Sequence, residues 1–408
     1  MRLRTVVLSL SAAHALLYPL VFSISSMEGL AKGFWIAEPL LLVLFFFAAS
    51  AAIRQKVIQY VCIIVASCCL AFAAAEMYCT WLRVEPAAPQ FSSHDSVYVK
   101  SGQATHLYEK SLSVPDPVLG YVPKANEKMR IAARRMHGNE VLYDVLYSRD
   151  EEGRRITPDR GDKADTAILL FGCSFAVGYG LNDQETFAWQ LGEMLGEKFQ
   201  VFNYGFHGYG AHQMLALVES SRLDALVRRY KQVYALYLTI RGHAARCAGL
   251  SPWDQAGPRY VLENGVLKHV GRFNETLEYN KLHQTDTLFA RSRFYAYVKE
   301  TYRQQVIPEY ALHTHVAIIA KSMREMEARY HAHALCVIWP NFTGIEPMLR
   351  ENGVRTLSLT GIMPDYASAR EKYLIKGDGH PNALANTRIA EALSEYIMQN
   401  TQTAGNQP

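Results

Sequence analysis

The sequence lacks a strong excess of either charge, and this excludes one broad class of function. Its 42 lysine and arginine residues nearly balance 38 aspartate and glutamate residues, which leaves a formal charge of +4 at pH 7. Proteins whose main ligand is nucleic acid usually carry a marked basic excess or a basic stripe. The sequence therefore predicts that the protein does not bind nucleic acid.

Cysteine is sparse, and its spacing excludes two kinds of stabilised scaffold. Seven cysteines occur, four of them in or beside one apolar stretch, and no two are spaced Cys-x-x-Cys. An odd number of scattered cysteines is not typical of a disulfide framework. The absence of Cys-x-x-Cys spacing argues against a ribbon-type zinc site. The sequence leaves open whether one disulfide forms. We expect neither a metal nor a cofactor.

Long apolar runs are concentrated at the N-terminus. Residues 5–26, 34–53 and 57–76 are each close to the length of about 20 residues that spans a bilayer. Basic residues precede the first run and separate the second from the third, so the positive-inside rule places those ends in the cytoplasm. We therefore expect a membrane region over residues 1–83, with about three transmembrane helices. The basic residues are Arg2, Arg4, Arg54 and Lys56.

A cleaved signal peptide over the first 26 residues is the alternative, because a short basic region and an apolar stretch also describe one. No Ala-x-Ala spacing follows the first run, and two further apolar runs remain. The sequence thus favours uncleaved helices in a multi-pass protein of the cell inner membrane. Everything after residue 83 is then on the periplasmic, extracytoplasmic side.

The remaining chain divides into two regions by pattern. Residues 84–165 are proline-rich and contain the run Val141–Tyr147, which is typical of a linker and accessory β region with at least one strand. Residues 166–400 alternate short apolar runs with helical patterns, which predicts a parallel sheet with helices on both faces. Residues 401–408 are expected to be a flexible tail. The predicted strands are 167–171, 201–203, 233–240, 335–339 and 354–359.

An unusually long connection follows the third of these strands. Residues 241–312 separate it from the next helix, whereas such connections usually take a few residues. Within it, Asn264-Gly265 between two apolar runs predicts a type I′ hairpin. We interpret the insertion as a cap over the end of the sheet where open α/β sheets bind ligands.

A serine directly follows the first buried strand. Gly172-Cys173-Ser174 leads from that strand into a helix, at the carboxyl edge of the predicted sheet. A serine hydroxyl becomes a nucleophile only when a base takes its proton. His380 lies in the loop before the last helix, which returns to the same edge, and Asp378 two residues earlier is suited to orient the imidazole. These residues form a candidate Ser-His-Asp set.

With these motifs the chain resembles the SGNH/GDSL family of serine esterases and acyltransferases, over about residues 115–398. Gly172-Cys173-Ser174 with Gly178 looks like the family's first block, residues 203–210 like its second, and residues 378–382 like its last. The resemblance implies a three-layer α/β/α sandwich with a flavodoxin-like, five-stranded parallel sheet. It also implies that Ser174 is the nucleophile, His380 the general base and Asp378 its orienter, with the backbone N–H groups of Ser174 and Gly208 in the oxyanion hole.

Three departures from the family pattern bear on function. Cys173 replaces the usual aspartate before the serine, which leaves the nucleophile in place. The third block lacks the asparagine that completes the oxyanion hole; Arg241 or His243 are candidate donors there, although a salt bridge or a capping contact fits either residue equally well. The last block reads Asp-x-His, which resembles the branch that O-acetylates exopolysaccharides.

The resulting hypothesis is a membrane-anchored extracytoplasmic serine esterase that removes acyl groups, acetyl above all, from a glycan. The expected partners are an acylated carbohydrate or another ester, and proteins of polysaccharide biosynthesis. An O-acyltransferase of an exported polysaccharide is one alternative, and an inactive glycan-binding or assembly protein is the other.

Other chemistry-bearing residues fit a structural role better than a functional one. Cys173 has no flanking cation that would activate its thiol. His313/His315 and His331/His333 are spaced to bind zinc but lie at opposite ends of one helical stretch. Asn341 follows the fourth strand, where a turn is the simpler interpretation.

Overall fold

The computed structural model describes residues 28–53, 55–82, 91–92, 97–101, 104–108, 112–135, 140–251, 253–281, 289, 292–298 and 307–405. The chain forms two compact units. One comprises Met1–Pro89 and Gln284–Val306, and the other Gln90–His283 and Ile307–Pro408. Residues 90–165 of the predicted accessory β region and the predicted α/β domain outside its cap thus fall in one unit. The predicted cap, residues 241–312, is divided between the two.

Two helices form most of the first unit. Helix α1 (Glu28–Ala52) packs along helix α2 (Lys56–Trp81). By length and composition α2 is able to cross a membrane, whereas the apolar part of α1, Ile36–Ala51, is shorter. The first predicted span, residues 5–26, lies outside the described residues. Among the residues that are described, α2 alone therefore meets the criterion, and the number of crossings stays a prediction.

Helix α2 carries a buried carboxylate, Glu76, near its end. Glu76 is 2% exposed and accepts hydrogen bonds from the Ser292 hydroxyl and, at 3.0 Å, from the Arg293 backbone N–H. The rings of Phe72 and Phe294 meet edge to face with centroids 5.8 Å apart. Residues 292–298 of the long insertion therefore pack against α2 and form hydrogen bonds with it.

The second unit begins with seven strands where the sequence indicated a linker and at least one strand. Five of them form an antiparallel sheet in the order β1-β2-β3-β6-β7, and β4 and β5 form a separate hairpin. Alternate side chains of β6 and β7, such as Ile131 and Tyr147, are buried. The strands are β1 (Phe91–Ser92), β2 (Val97–Ser101), β3 (Ala104–Tyr108), β4 (Ser113–Asp116), β5 (Gly120–Pro123), β6 (Lys128–Arg135) and β7 (Val141–Ser148).

An α/β sandwich follows, and its sheet confirms the predicted five parallel strands. Their order is β14-β13-β10-β8-β9, which corresponds to the flavodoxin-like order 2-1-3-4-5. The elements are β8 (Thr166–Phe171), α3 (Ser174–Val177), α4 (Phe187–Leu195), β9 (Phe199–Asn203), α5 (Ala211–Glu219), α6 (Asp224–Val227), β10 (Gln232–Thr239), α7 (Gly242–Cys247), β11 (Pro258–Glu263), β12 (Val266–Arg272), α8 (Glu309–Tyr330), β13 (His333–Ile338), α9 (Glu346–Glu351), β14 (Thr356–Ser358) and α10 (Ala383–Gly405).

Alternation along the strands produces the three layers. On β8, Leu169 and Phe171 face a core shared with α5 and α8, while Ile168 and Leu170 face a core shared with α4 and α10. Both faces of the strands are buried, which explains why they read as continuous apolar runs. Helix α10 continues to Gly405, so residues 401–405 of the predicted tail are helical.

The predicted hairpin forms as β11 and β12, with Asn264 and Gly265 both at positive φ as a type I′ turn requires. It packs on α5 and α8. Tyr260 is 3% exposed in the core beside these helices, and its hydroxyl donates to Glu219 at 2.7 Å. This segment of the predicted cap therefore covers the helical layer.

Candidate active site

The chain turns sharply as it leaves β8, and this turn presents Ser174 at the start of α3. Gly172 has φ +148°, and a Cβ there would lie 2.8 Å from the Ala176 side chain. Gly178 ends the helix in the left-handed region, φ +77°, where a Cβ would lie 2.4 Å from Thr186. Both positions require glycine. The short helix therefore carries a serine, 8% exposed, at the carboxyl edge of the sheet.

The loop before α10 brings His380 to this serine. The His380 Nε2 atom lies 2.9 Å from Ser174 Oγ. The His380 Nδ1 atom hydrogen-bonds Asp378 Oδ1, and the same carboxylate oxygen accepts the His380 backbone N–H at 3.0 Å. Because an ionised carboxylate only accepts, Nδ1 is the protonated nitrogen, and Nε2 is left to accept the serine proton. The three side chains are thus connected in the order needed for proton transfer.

The carboxylate and the imidazole are sheltered on several sides. The Asp378 side chain is 1% exposed, and its second oxygen accepts a hydrogen bond from the Tyr143 hydroxyl at 3.3 Å. The rings of Phe175 and Tyr179 lie against His380, with centroid distances of 5.5 and 4.6 Å. Tyr143 belongs to β7, so the antiparallel sheet contributes directly to the site. The sequence pattern did not single out Tyr143.

A buried arginine fixes the turn that carries the serine. Arg155 donates to the carbonyl groups of Val177 at 3.0 Å, Gly178 at 2.6 Å and Leu181. Its Nε pairs with Asp183 at 2.9 Å, and its side chain is 1% exposed. Carbonyl groups at the end of a short helix need such donors when they are buried.

The loop after β9 packs directly on the serine turn. Asn203 is buried and bonds Ala176 O and the Gly205 N–H, each at 3.0 Å. The Phe206 N–H donates to Gly172 O at 3.2 Å. Gly208 follows at φ +77°, a conformation that favours glycine. The second predicted block therefore lies beside the first.

The two candidate donors after β10 occupy different environments. His243 is fully buried, and its Nδ1 atom is 2.7 Å from the Tyr237 hydroxyl. Burial, with Arg246 and His315 nearby, holds the pKa of His243 well below its usual range, so the ring is neutral. Arg241 is exposed. The structure thus makes His243 a residue of the core behind the sheet and Arg241 a surface residue.

The remaining predicted candidates take structural positions. Cys173 is fully buried, with its sulfur 3.9 Å from Ser174 Oγ. His313 is exposed near Glu309, and His315 is buried against Thr239 and Cys247. No group of three or more metal-ligating side chains is assembled within the described ranges. Asn341 lines a surface cavity after β13, together with Met363, Pro364, Tyr366 and Arg370.

The structure also contains a buried polar cluster that sequence reasoning missed. His212 Nε2 lies 2.6 Å from Asp254 Oδ2, which also accepts from Gln213 at 2.8 Å. Burial works against charge, but Cys247 and Asp254 together raise the pKa of His212 to about 9. Asp254 lies in the loop between α7 and β11, and nothing in its local sequence marked it as paired.

No family model and no curated protein sequence matches the chain. Among solved structures, the chain is similar to a G-D-S-L family protein from Desulfitobacterium hafniense, with 14% identity, a TM-score of 0.33, and coverage of 56% of this chain and 98% of that one. A lipolytic G-D-S-L protein from Veillonella parvula has 12% identity and a TM-score of 0.30, covering 55% and 94%. TesA has 14% identity and a TM-score of 0.30, covering 55% and 94%. Similarity this distant assigns no function to the chain.

Proposed function

We propose that the protein is a serine esterase that works by covalent catalysis at Ser174, with His380 as general base and Asp378 as its orienter. One observation carries this proposal: Ser174 Oγ lies 2.9 Å from His380 Nε2, while His380 Nδ1 is bonded to a buried carboxylate. Side chains in this order form the minimal set for activating a serine hydroxyl. The three belong to two loops 206 residues apart that meet at the carboxyl edge of the sheet.

The proposed reaction gives each proton a defined path. Ser174 Oγ attacks the ester carbonyl as its proton passes to His380 Nε2, and the tetrahedral intermediate forms. His380 then returns that proton to the departing alcohol oxygen, and the acyl group remains on Ser174. Water, or a second hydroxyl, then gives its proton to His380 Nε2 and attacks the acyl carbon. The bond from that carbon to Ser174 Oγ breaks as His380 returns the proton to Ser174, which restores the free serine. Asp378 stays ionised throughout and stabilises the imidazolium.

The oxyanion of the intermediate needs donors that are already in position. The backbone N–H groups of Ser174 and Gly208 are proposed for this role, because the loops that carry them are packed together. Each such donor contributes on the order of 3 kcal/mol to the transition state. Neutral, buried His243 does not enter this proposal.

The proposed substrate is an acetylated glycan outside the cytoplasm, and the proposed location is the cell inner membrane with the second unit on the extracytoplasmic side. The membrane location is supported by the length and composition of α2. The glycan is supported only by the resemblance noted for the sequence. Transfer of the acyl group to a sugar uses the same three residues, and the Asp-x-His spacing of the last block favours it as the second candidate.

A fluorophosphonate probe tests the proposal on the full-length protein in detergent. We expect labelling of the wild type, none of Ser174→Ala, and hydrolysis of p-nitrophenyl acetate that His380→Ala abolishes. Cys173→Ala is the matched control, because the adjacent thiol is buried and has no part in the proposed reaction. A folded wild type that is neither labelled nor active would reject the esterase. With an acetylated oligosaccharide, free acetate indicates hydrolysis, and an acetylated acceptor indicates transfer.

A further inference from the structure

We infer that Tyr121 is a positioning residue for the oxyanion hole, because its hydroxyl fixes the peptide group that carries the Gly208 N–H. The inference rests on the proposed function, in which that N–H stabilises the tetrahedral intermediate. Tyr121 lies in β5, 86 residues before the carbonyl group that it binds. It belongs to the region that the sequence indicated as linker and accessory β structure.

Three successive carbonyl groups after β9 each accept a hydrogen bond from a different side chain. The three donors come from β5, from α7 and from the loop between α7 and β11. Such a row fixes the direction of consecutive peptide planes. The pairs are Tyr121 Oη to His207 O at 2.8 Å, Trp253 Nε1 to Gly208 O at 3.4 Å, and Arg246 Nη1 to Tyr209 O at 2.7 Å.

The first of these bonds determines where the Gly208 N–H points. A trans peptide is planar, so the carbonyl group of His207 and the N–H of Gly208 point in opposite directions. With that carbonyl group held by Tyr121, the N–H is directed away from Tyr121. Glycine has little intrinsic preference among backbone conformations, so Gly208 alone would not resist rotation of this plane.

Tyr121 is itself held firmly enough to act as an anchor. Its ring lies 5.9 Å from the Phe206 ring and 5.3 Å from the Tyr209 ring, centroid to centroid. Its own carbonyl oxygen accepts a hydrogen bond from the Tyr209 hydroxyl at 2.6 Å. Burial raises the pKa of Tyr121 well above its usual value, so the hydroxyl remains a donor at every working pH.

The space around Gly208 shows how closely this anchor approaches the peptide. A Cβ added at Gly208 would lie 2.7 Å from Tyr121 Oη and 2.5 Å from Trp253 Nε1. Real carbon atoms do not approach that closely, so the residue at 208 is limited to glycine by contact as well as by φ. The Tyr121 hydroxyl therefore lies close to Gly208 as well as to the His207 carbonyl oxygen that it binds.

Tyr121→Phe tests the inference, with Tyr260→Phe as the matched control. Phenylalanine keeps the ring and its packing and removes only the hydroxyl. The Tyr260 hydroxyl is also buried and bonded, to Glu219 at 2.7 Å, but it lies in the β11–β12 hairpin. For Tyr121→Phe we expect kcat on p-nitrophenyl acetate to fall about tenfold at unchanged KM, because one oxyanion donor loses alignment. Fluorophosphonate labelling should slow by a similar factor.

The control separates positioning from general stability. Tyr260→Phe should lower the melting temperature about as much as Tyr121→Phe while leaving kcat near that of the wild type. Equal kcat values for the two variants, in an active wild type, would overturn the role of Tyr121 and leave the esterase intact. A wild type with neither turnover nor labelling would overturn the esterase, and the inference with it.

Discussion

Asp378 engages both of its carboxylate oxygens, and this explains how an Asp-x-His spacing is able to work. Oδ1 accepts from the His380 backbone N–H at 3.0 Å as well as from the ring, as in an Asx turn. Oδ2 accepts from Tyr143 at 3.3 Å. Only one residue separates the aspartate from the histidine, so the turn itself sets the rotation of the ring.

Asp378→Asn should retain the fold and lose most of the activity. The amide still makes some of these hydrogen bonds, but it supplies no charge to the imidazolium and favours the wrong tautomer of His380. We expect kcat on p-nitrophenyl acetate to fall on the order of 10² to 10⁴-fold. In His380→Ala the kcat should fall further, because the general base itself is lost. An undiminished rate in folded Asp378→Asn would point to another carboxylate.

Tyr143→Phe should have a smaller effect on the same step. It removes one hydrogen bond to the carboxylate without touching His380. At 3.3 Å this bond is long, so we expect it to contribute about 0.5 to 1.5 kcal/mol, which corresponds to about a twofold to tenfold loss in kcat. The matched control is Tyr330→Phe, whose hydroxyl donates to Asp224 at 2.6 Å on α6. If the two variants have the same kcat, Tyr143 does not support the orientation of His380.

At the scale of elements, the serine turn depends on a residue that lies outside it. Helix α3 has four residues and is too short to be stable by itself. Arg155, from the segment after β7, binds three carbonyl groups at the end of this turn and pairs with Asp183. Ser174 is therefore positioned by the buried guanidinium group of Arg155, which precedes β8 in the sequence.

Arg155→Met should destabilise the fold and disorder the serine turn together. It leaves the Asp183 carboxylate unpaired in a buried site, which costs about 3 to 5 kcal/mol, and it leaves buried carbonyl groups without donors. We expect a lower urea midpoint and slower fluorophosphonate labelling of the folded protein. Arg350→Met is the control, because Arg350 pairs with Glu346 but is itself exposed. Unchanged labelling and stability in Arg155→Met would contradict this role.

The elements differ in how far the sequence predicted them, and burial explains the difference. The strand with Leu169 and Leu170 is buried on both faces and reads as an unbroken apolar run, so the parallel sheet was predicted to within a few residues. In β6 and β7 the buried side chains alternate with exposed ones, and the region lies among prolines, so only β7 was predicted. Tyr121 and Tyr143 lie in those strands. Their approach to the site is a tertiary effect that local pattern does not encode.

At the scale of the whole molecule, the site is assembled from segments that begin in β5 and end in the loop before α10. The sequence indicated the reacting side chains, because Ser174 and His380 follow predicted strands at one edge. Apart from Asp378, it did not indicate which groups hold them. His243 illustrates the limit: its place after β10 suggested a donor, and local pattern did not indicate that its Nδ1 atom would bond the Tyr237 hydroxyl in the core.

Buried His212 gives the folded state a pH dependence, because Cys247 and Asp254 together raise its pKa, and the sign of that dependence can be worked out. His212 has an ordinary pKa of 6.5 and one of about 9 in the folded chain. A group whose pKa is higher in the folded state stabilises it fully below the ordinary value, and this contribution is lost as the pH rises through the folded value. His212 should therefore contribute most below pH 6.5 and little above about pH 9.

Asp254→Asn isolates this contribution. Near pH 6 the His212 imidazolium pairs with Asp254, and the difference in unfolding free energy between the wild type and Asp254→Asn should be a few kcal/mol. This difference should shrink between about pH 6.5 and 9, because His212 of the wild type loses its proton over that range. Gln213→Ala removes the other hydrogen bond to Asp254 Oδ2. The Gln213 amide does not titrate, so the loss of stability in this variant should be nearly constant over the same pH range. Urea unfolding from pH 6 to 10 measures both differences. A pH-independent difference for Asp254→Asn would mean that Asp254 does not raise the pKa of His212 in the folded protein.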